Sequence, residues 1–90
     1  MNAPNLDDSM TAAELFAWSH TIGHATKAQR IELFGNSGKG TKLAAKALAN
    51  YAANKGTAMQ CRARGDIATA QMYESICERI YSDLPAFARW

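Results

Sequence analysis

Residues 63–85 read ARGDIATAQMYESICERIYSDLP, and the fold turns on Gly65–Asp66 near the start of that run. A glycine just past a helical stretch takes the left-handed position that ends a helix at no steric cost. An aspartate directly after it accepts hydrogen bonds as the N-cap of the next helix. The pair predicts a tight turn, and two helices joined so closely run antiparallel. Downstream, Ala70, Tyr73, Cys77, Ile80, Tyr81 and Leu84 recur as one apolar face, with Gln71, Glu74, Glu78 and Ser82 away from it. Pro85 cannot continue the helix. Phe87 and Trp90 are too apolar for a free tail, so they are expected to fold back onto the hairpin.

Working outward, an Ala-rich helix extends upstream, so the antiparallel hairpin covers about 41–64 and 67–83. Leu48, Tyr51, Ala52 and Met59 share one side of its first arm, and Asn54 with Gly56 predicts a bend there. GNSGKG at 35–40 is the clearest break in the chain. Before it, Thr11 with Glu14 and Thr26 with Gln29 have the spacing of capping boxes. They predict a helix with the stripe Leu15, Trp18 and Ile22, then a short one through Phe34; one helix running through Gly23 is the alternative. Residues 1–10, with Pro4, Asp7 and Asp8, read as a loose N-terminal arm. The expected fold class is all-α, a single domain over 1–90 forming a small three- to four-helix bundle built on the C-terminal hairpin.

Composition agrees. Of the 48% hydrophobic residues, 18 are Ala and none is Val, which favours helix and removes a strong strand former. Ninety residues support one core, and a chain of that size buries only roughly 60–65% of its unfolded surface. The polar, acidic opening is unlike a signal peptide, and no apolar run approaches the roughly 20 residues needed to cross a bilayer. A cytoplasmic location with no membrane partner is the expectation. Two cysteines fit a reducing compartment. If Cys61 and Cys77 lie on the two arms of the hairpin, they are about seven residues out of register, roughly 10 Å along the axis and beyond disulfide reach.

The motifs that invite catalysis fail on chemical grounds. Gly38-Lys39-Gly40-Thr41 looks like the end of a phosphate-binding loop, but Leu33 stands where the first glycine belongs. Gly40 replaces the hydroxyl residue that should follow Lys39, and a helix rather than a strand precedes the loop. His20 and His24 have the i, i+4 spacing of a metal pair, without the glutamate that should follow the first. Glu74 and Glu78 lie one turn apart and project away from the apolar stripe. No metal, no cofactor and no catalytic residue is expected, so an enzyme is not.

Charge says more than the net +2 does. From Leu33 to Gly65 there is no acid, while Lys39, Lys42, Lys46, Lys55, Arg62 and Arg64 are basic; Asp66 to Asp83 carries four acids against Arg79. On an ideal helix Lys39, Lys42, Lys46 and Arg64 project to one side, where they would meet nucleic-acid phosphates. The competing reading is pairing of the basic helix with the acidic one across the hairpin. Lys55 and Arg62 fall near the apolar side and are expected to snorkel, or else to mark a partner-facing surface.

From Gly65 the run GDIATAQMYESICERIYSDLP resembles the second helix of a tetratricopeptide unit. Tyr73 and Pro85 are out of place for that repeat, however, and there is no second copy, which excludes a solenoid. Tyr51 to Trp90 is similar to small uncharacterised helical proteins of phage and environmental sequences. That resemblance implies a phage or mobile-element context and no assigned activity. The leading functional expectation is a non-catalytic helical module for protein–protein interaction, binding itself as a homo-oligomer or another protein. Phe16, Trp18, Lys55, Arg62, Phe87 and Trp90 are its candidate surface. The alternative is a nucleic-acid-binding accessory protein using the basic helix 39–64.

Overall fold

The computed structural model describes Leu6, residues 9–36 and residues 38–90. Among them four α-helices follow in order: α1 Ala12–Gly23, α2 Lys27–Phe34, α3 Thr41–Ala63 and α4 Ile67–Asp83. A 3₁₀ turn, Ala86–Ala88, comes after them. No strand occurs among the described residues. This is a small all-α bundle with α3 as its spine: α1 and α4 pack against it and α2 touches it more lightly.

Local chemistry explains where each helix begins and ends. Thr11 and Glu14 exchange hydrogen bonds, Glu14 N–H to Thr11 Oγ1 at 3.1 Å and Thr11 N–H to Glu14 Oε1 at 2.9 Å. Thr26 and Gln29 do the same at 3.2 and 2.8 Å. Both capping boxes are therefore formed, and 11–34 is two helices broken at His24–Thr26. At the hairpin, Gly65 has φ +84°. The Asp66 N–H donates to the Cys61 carbonyl and the Gly65 N–H to that of Arg62, the two bonds of a Schellman ending. Asp66 then accepts from the Thr69 N–H through Oδ1, capping α4. One residue thus closes α3 and opens α4, which leaves no slack in the turn.

The spine is thin. Of its buried residues Ala44, Ala45, Leu48, Ala52, Gly56, Ala58 and Cys61, only Leu48 and Cys61 carry more than a methyl group. Small side chains let α1 come close: the Ser19 hydroxyl donates to the Ala49 carbonyl at 2.6 Å, and a Cβ on Gly56 would stand 3.0 Å from the ring of Phe16. Gly56 lies within the unbroken run of α3, where its missing side chain seats that ring. Leu6, Leu15, Ile22, Phe34, Leu48, Leu84 and Ala88 join the small residues in the core. Leu6 is 2% exposed; of the N-terminal arm expected at 1–10, residues 1–5, 7 and 8 lie outside the described residues.

The C-terminal segment folds back. Phe87 meets Phe34 edge-on at 5.4 Å, and Trp90 stands edge-on to both Tyr51 and Tyr81, at 4.8 and 4.9 Å. The Tyr81 hydroxyl donates to the Trp90 carbonyl at 2.6 Å. Trp90 therefore ties α4 to α3 at the end opposite the Gly65 turn. Cys61 and Cys77 are both buried and free.

Candidate interaction surfaces

A groove of about 880 Å³ runs along one flank of the α3–α4 hairpin. Tyr51, Met59, Tyr81 and Trp90 form much of its apolar surface, with Lys55, Glu74 and Glu78 beside them. Its charges are largely spoken for. Arg62 grips Glu74 with both arms of the guanidinium, Nε to Oε2 at 2.5 Å and Nη2 to Oε1 at 2.8 Å. The Arg62 hydrogen bond and charge hold Glu74 below the usual carboxylate range and raise Arg62 in turn. Lys55 Nζ donates to the Leu6 carbonyl at 3.3 Å. Cys77 faces the groove with its thiol directed at the Tyr51 carbonyl. Burial pushes this thiol up to about 11; the nearby Lys55 opposes the shift, and Glu74 and Glu78 add to it. A thiol so raised is a poor nucleophile.

A second surface is the outward row of α4. Met72 is 56% exposed and Ile76 38%. Ile80, half-buried, continues the row at the same four-residue step, each residue about 40° from the last on an ideal helix. Among the described elements α4 packs chiefly on α3, and Met72 and Ile76 stay exposed on its outer side.

A third surface is the corner between α2 and the start of α3. Lys39, Lys42 and Lys46 are exposed, and among the described residues none of them makes an ion pair.

Comparison with protein-family models, curated proteins and solved structures finds no match. The surfaces must therefore be judged on their own chemistry.

The candidate residues read from sequence fall into separate places. Trp18, Phe87 and Trp90 are half-buried against the core and Phe16 is half-buried over Gly56, with Phe87 on Phe34 and Trp90 between two tyrosines. Lys55 and Arg62 both flank the groove side of the hairpin. Lys39, Lys42 and Lys46 stay together, but Arg64 sits 18 residues beyond Lys46, roughly 27 Å along the helix, where its Nη2 reaches Cys61 Sγ at 3.4 Å. The stripe of four is thus a cluster of three and a distant arginine. The His20 and His24 rings lie tilted at 46° with centroids 4.7 Å apart, and His24 Nδ1 contacts the His20 carbonyl at 3.0 Å. No group of three metal-ligating side chains occurs among the described residues. No described helix is long and apolar enough to cross a membrane.

Sequence reading passed over Met72, Ile76, Lys27 and Arg30. The i, i+4, i+8 step of Met72, Ile76 and Ile80 was visible as a second apolar row beside the one centred on Cys77. Lys27 and Arg30 gave no local signal, since only the fold brings α2 against the start of α3.

Proposed function

We propose that this chain is a cytoplasmic, non-catalytic interaction module that pairs with a second copy of itself through the outward row of α4. The observation that carries this reading is the exposure of Met72 and Ile76 on a helix with only one major packing partner. Exposed apolar rows on one helix face are the usual anchors of helix–helix association.

A second copy fits because the row is self-complementary about Ile76. With two α4 helices antiparallel and Ile76 on the two-fold axis, Met72 of each lies opposite Ile80 of the other. Thr69 lies opposite Asp83, and Tyr73 opposite Arg79. An isologous interface requires such reciprocal pairing. A thin 90-residue bundle also gains buried apolar surface that its own core does not supply. Free cysteines accord with the cytoplasmic assignment.

Light scattering after size exclusion tests the reading. The expected mass is twice the 9.8 kDa of the chain, and Met72→Lys with Ile76→Lys returns it to the single-chain value at unchanged helicity. A single-chain mass for the wild type at the highest attainable concentration refutes it.

A further inference from the structure

The corner between α2 and α3 concentrates positive charge that the hairpin leaves unneutralised. Lys27 and Arg30 of α2 share a notch of about 300 Å³ with Gly38 and Thr41. Lys39 lies between Gly38 and Gly40, Lys42 follows Thr41, and Lys46 stands one turn on, roughly 6 Å further along α3. Within 26–50 the one acid is Glu32, which an ideal helix turns about 140° from Lys27. It does not line the notch.

Three further features suit an oxyanion there. Arg30 lines the notch and is held there by donation of Nη1 to the Ala25 carbonyl at 2.7 Å. No side chain caps the first turn of α3 and no acid stands in it, so the positive end of the helix dipole adds to the local field. No aromatic side chain lines the notch, which removes the stacking platform that single strands require.

We propose that this corner binds the phosphate backbone of a double-stranded nucleic acid, with Lys27, Arg30, Lys39, Lys42 and Lys46 as the contacting cations. Their charge complements a duplex whose phosphates stand on the outside, and the surface is separate from the α4 row. Arg64, at the other end of α3, takes no part.

Fluorescence anisotropy with labelled DNA and RNA duplexes of about 20 base pairs tests the proposal. If three of the cations meet phosphates, affinity falls about 40-fold between about 50 and 200 mM salt. Lys42→Glu with Lys46→Glu weakens binding at least about tenfold at the lower salt, whereas Arg30→Gln weakens it severalfold. Arg64→Gln changes it less than about twofold. Acids in the first turns of a helix favour its dipole, so the double variant keeps its helicity and its wild-type mass, which separates this surface from the α4 interface. Binding of either duplex with this pattern supports the proposal, and the preferred one identifies the backbone form. No binding to either duplex at low salt overturns it. So does binding untouched by the double variant, tighter binding of a single strand, or binding only to phosphatidylserine vesicles run in parallel.

Discussion

Gly56→Ala sets two effects against each other, and the structure says which wins. Alanine in place of glycine inside a helix gains about 1 kcal/mol of propensity. Here, however, the new Cβ would stand 3.0 Å from Phe16 Cζ and 3.2 Å from Cε1 and Cε2, tighter than most Cβ contacts, so the ring, wedged between α1 and α3, must give by a few tenths of an ångström. Overpacking of this kind costs typically about 1–3 kcal/mol. The balance is a loss of about 1 kcal/mol, and for a domain of this size the melting temperature falls by about 4–8 °C. Phe16→Ala removes the obstacle, so in that background Gly56→Ala should stabilise by about 1 kcal/mol. The two substitutions then couple by about 2 kcal/mol in a double-mutant cycle. Gly23→Ala is the control, because its Cβ would meet only Ala49 Cβ at an ordinary 3.5 Å and should leave stability equal or higher. Urea unfolding of the four proteins in the cycle, followed by circular dichroism, reads the result. Equal stabilisation by Gly56→Ala with and without Phe16 would refute the close contact of α1 with α3.

Cys77 predicts a pH effect. Its folded thiol is raised to about 11, so only about one molecule in a thousand carries the thiolate at pH 8. Alkylation of native protein there should be far slower than in urea; equal rates would place Cys77 in solvent. Because the folded value lies above that of the unfolded chain, the stability it contributes is intact below about pH 8.5 and is lost as pH rises toward 11. Cys77→Ala should flatten that alkaline decline, and an unchanged slope would count against the burial. Trp90→Ala removes the ring between Tyr51 and Tyr81. The ring is only half-buried, so the cost is about 2 kcal/mol, below that of a fully buried aromatic. A melting temperature unchanged from wild type would show that the C-terminal segment does not brace the hairpin.

Features decided by neighbouring residues were legible in the sequence. The Gly65–Asp66 turn, both capping boxes and the stop at Pro85 each depend on bonds spanning a few positions, and each is formed. The choice between one and two helices over 11–34 was open only because Gly23 sits where either outcome is chemically acceptable. What escaped was long-range. Gly56 read as a soft point of its helix, since nothing nearby in the chain announces that Phe16 will lie on it 40 positions away. Phe34 stands at the end of a short helix beside a glycine-rich break, and its full burial comes from long-range packing in the core cluster, the Phe87 ring included. The run of basic residues looked like one feature because an ideal helix projects charges around its axis and hides distance along it. Folding separates it into a lysine corner, a lysine on the Leu6 carbonyl, an arginine paired with Glu74, and Arg64 on Cys61.

The alanine content has one cause that also accounts for where function can reside. A helix flanked closely on two sides must present small residues to both. The spine therefore carries Ala44, Ala45, Ala52, Gly56 and Ala58 where most core helices carry leucine or isoleucine. Its own apolar pattern is correspondingly weak. Large side chains are displaced to the outer helices and to the ends, where no third layer covers them. Among the described residues the four most exposed large apolar ones are Leu43, Met72, Ile67 and Ile31, and all lie on the outer helices or at the first turn of α3. A bundle assembled this way keeps little apolar area inside and leaves much of what remains on α4, the helix on which the proposed pairing rests. Enlarging the spine with leucine would deepen the core only by pushing α1 and α4 apart, and the hairpin turn at Gly65 has no slack to allow it.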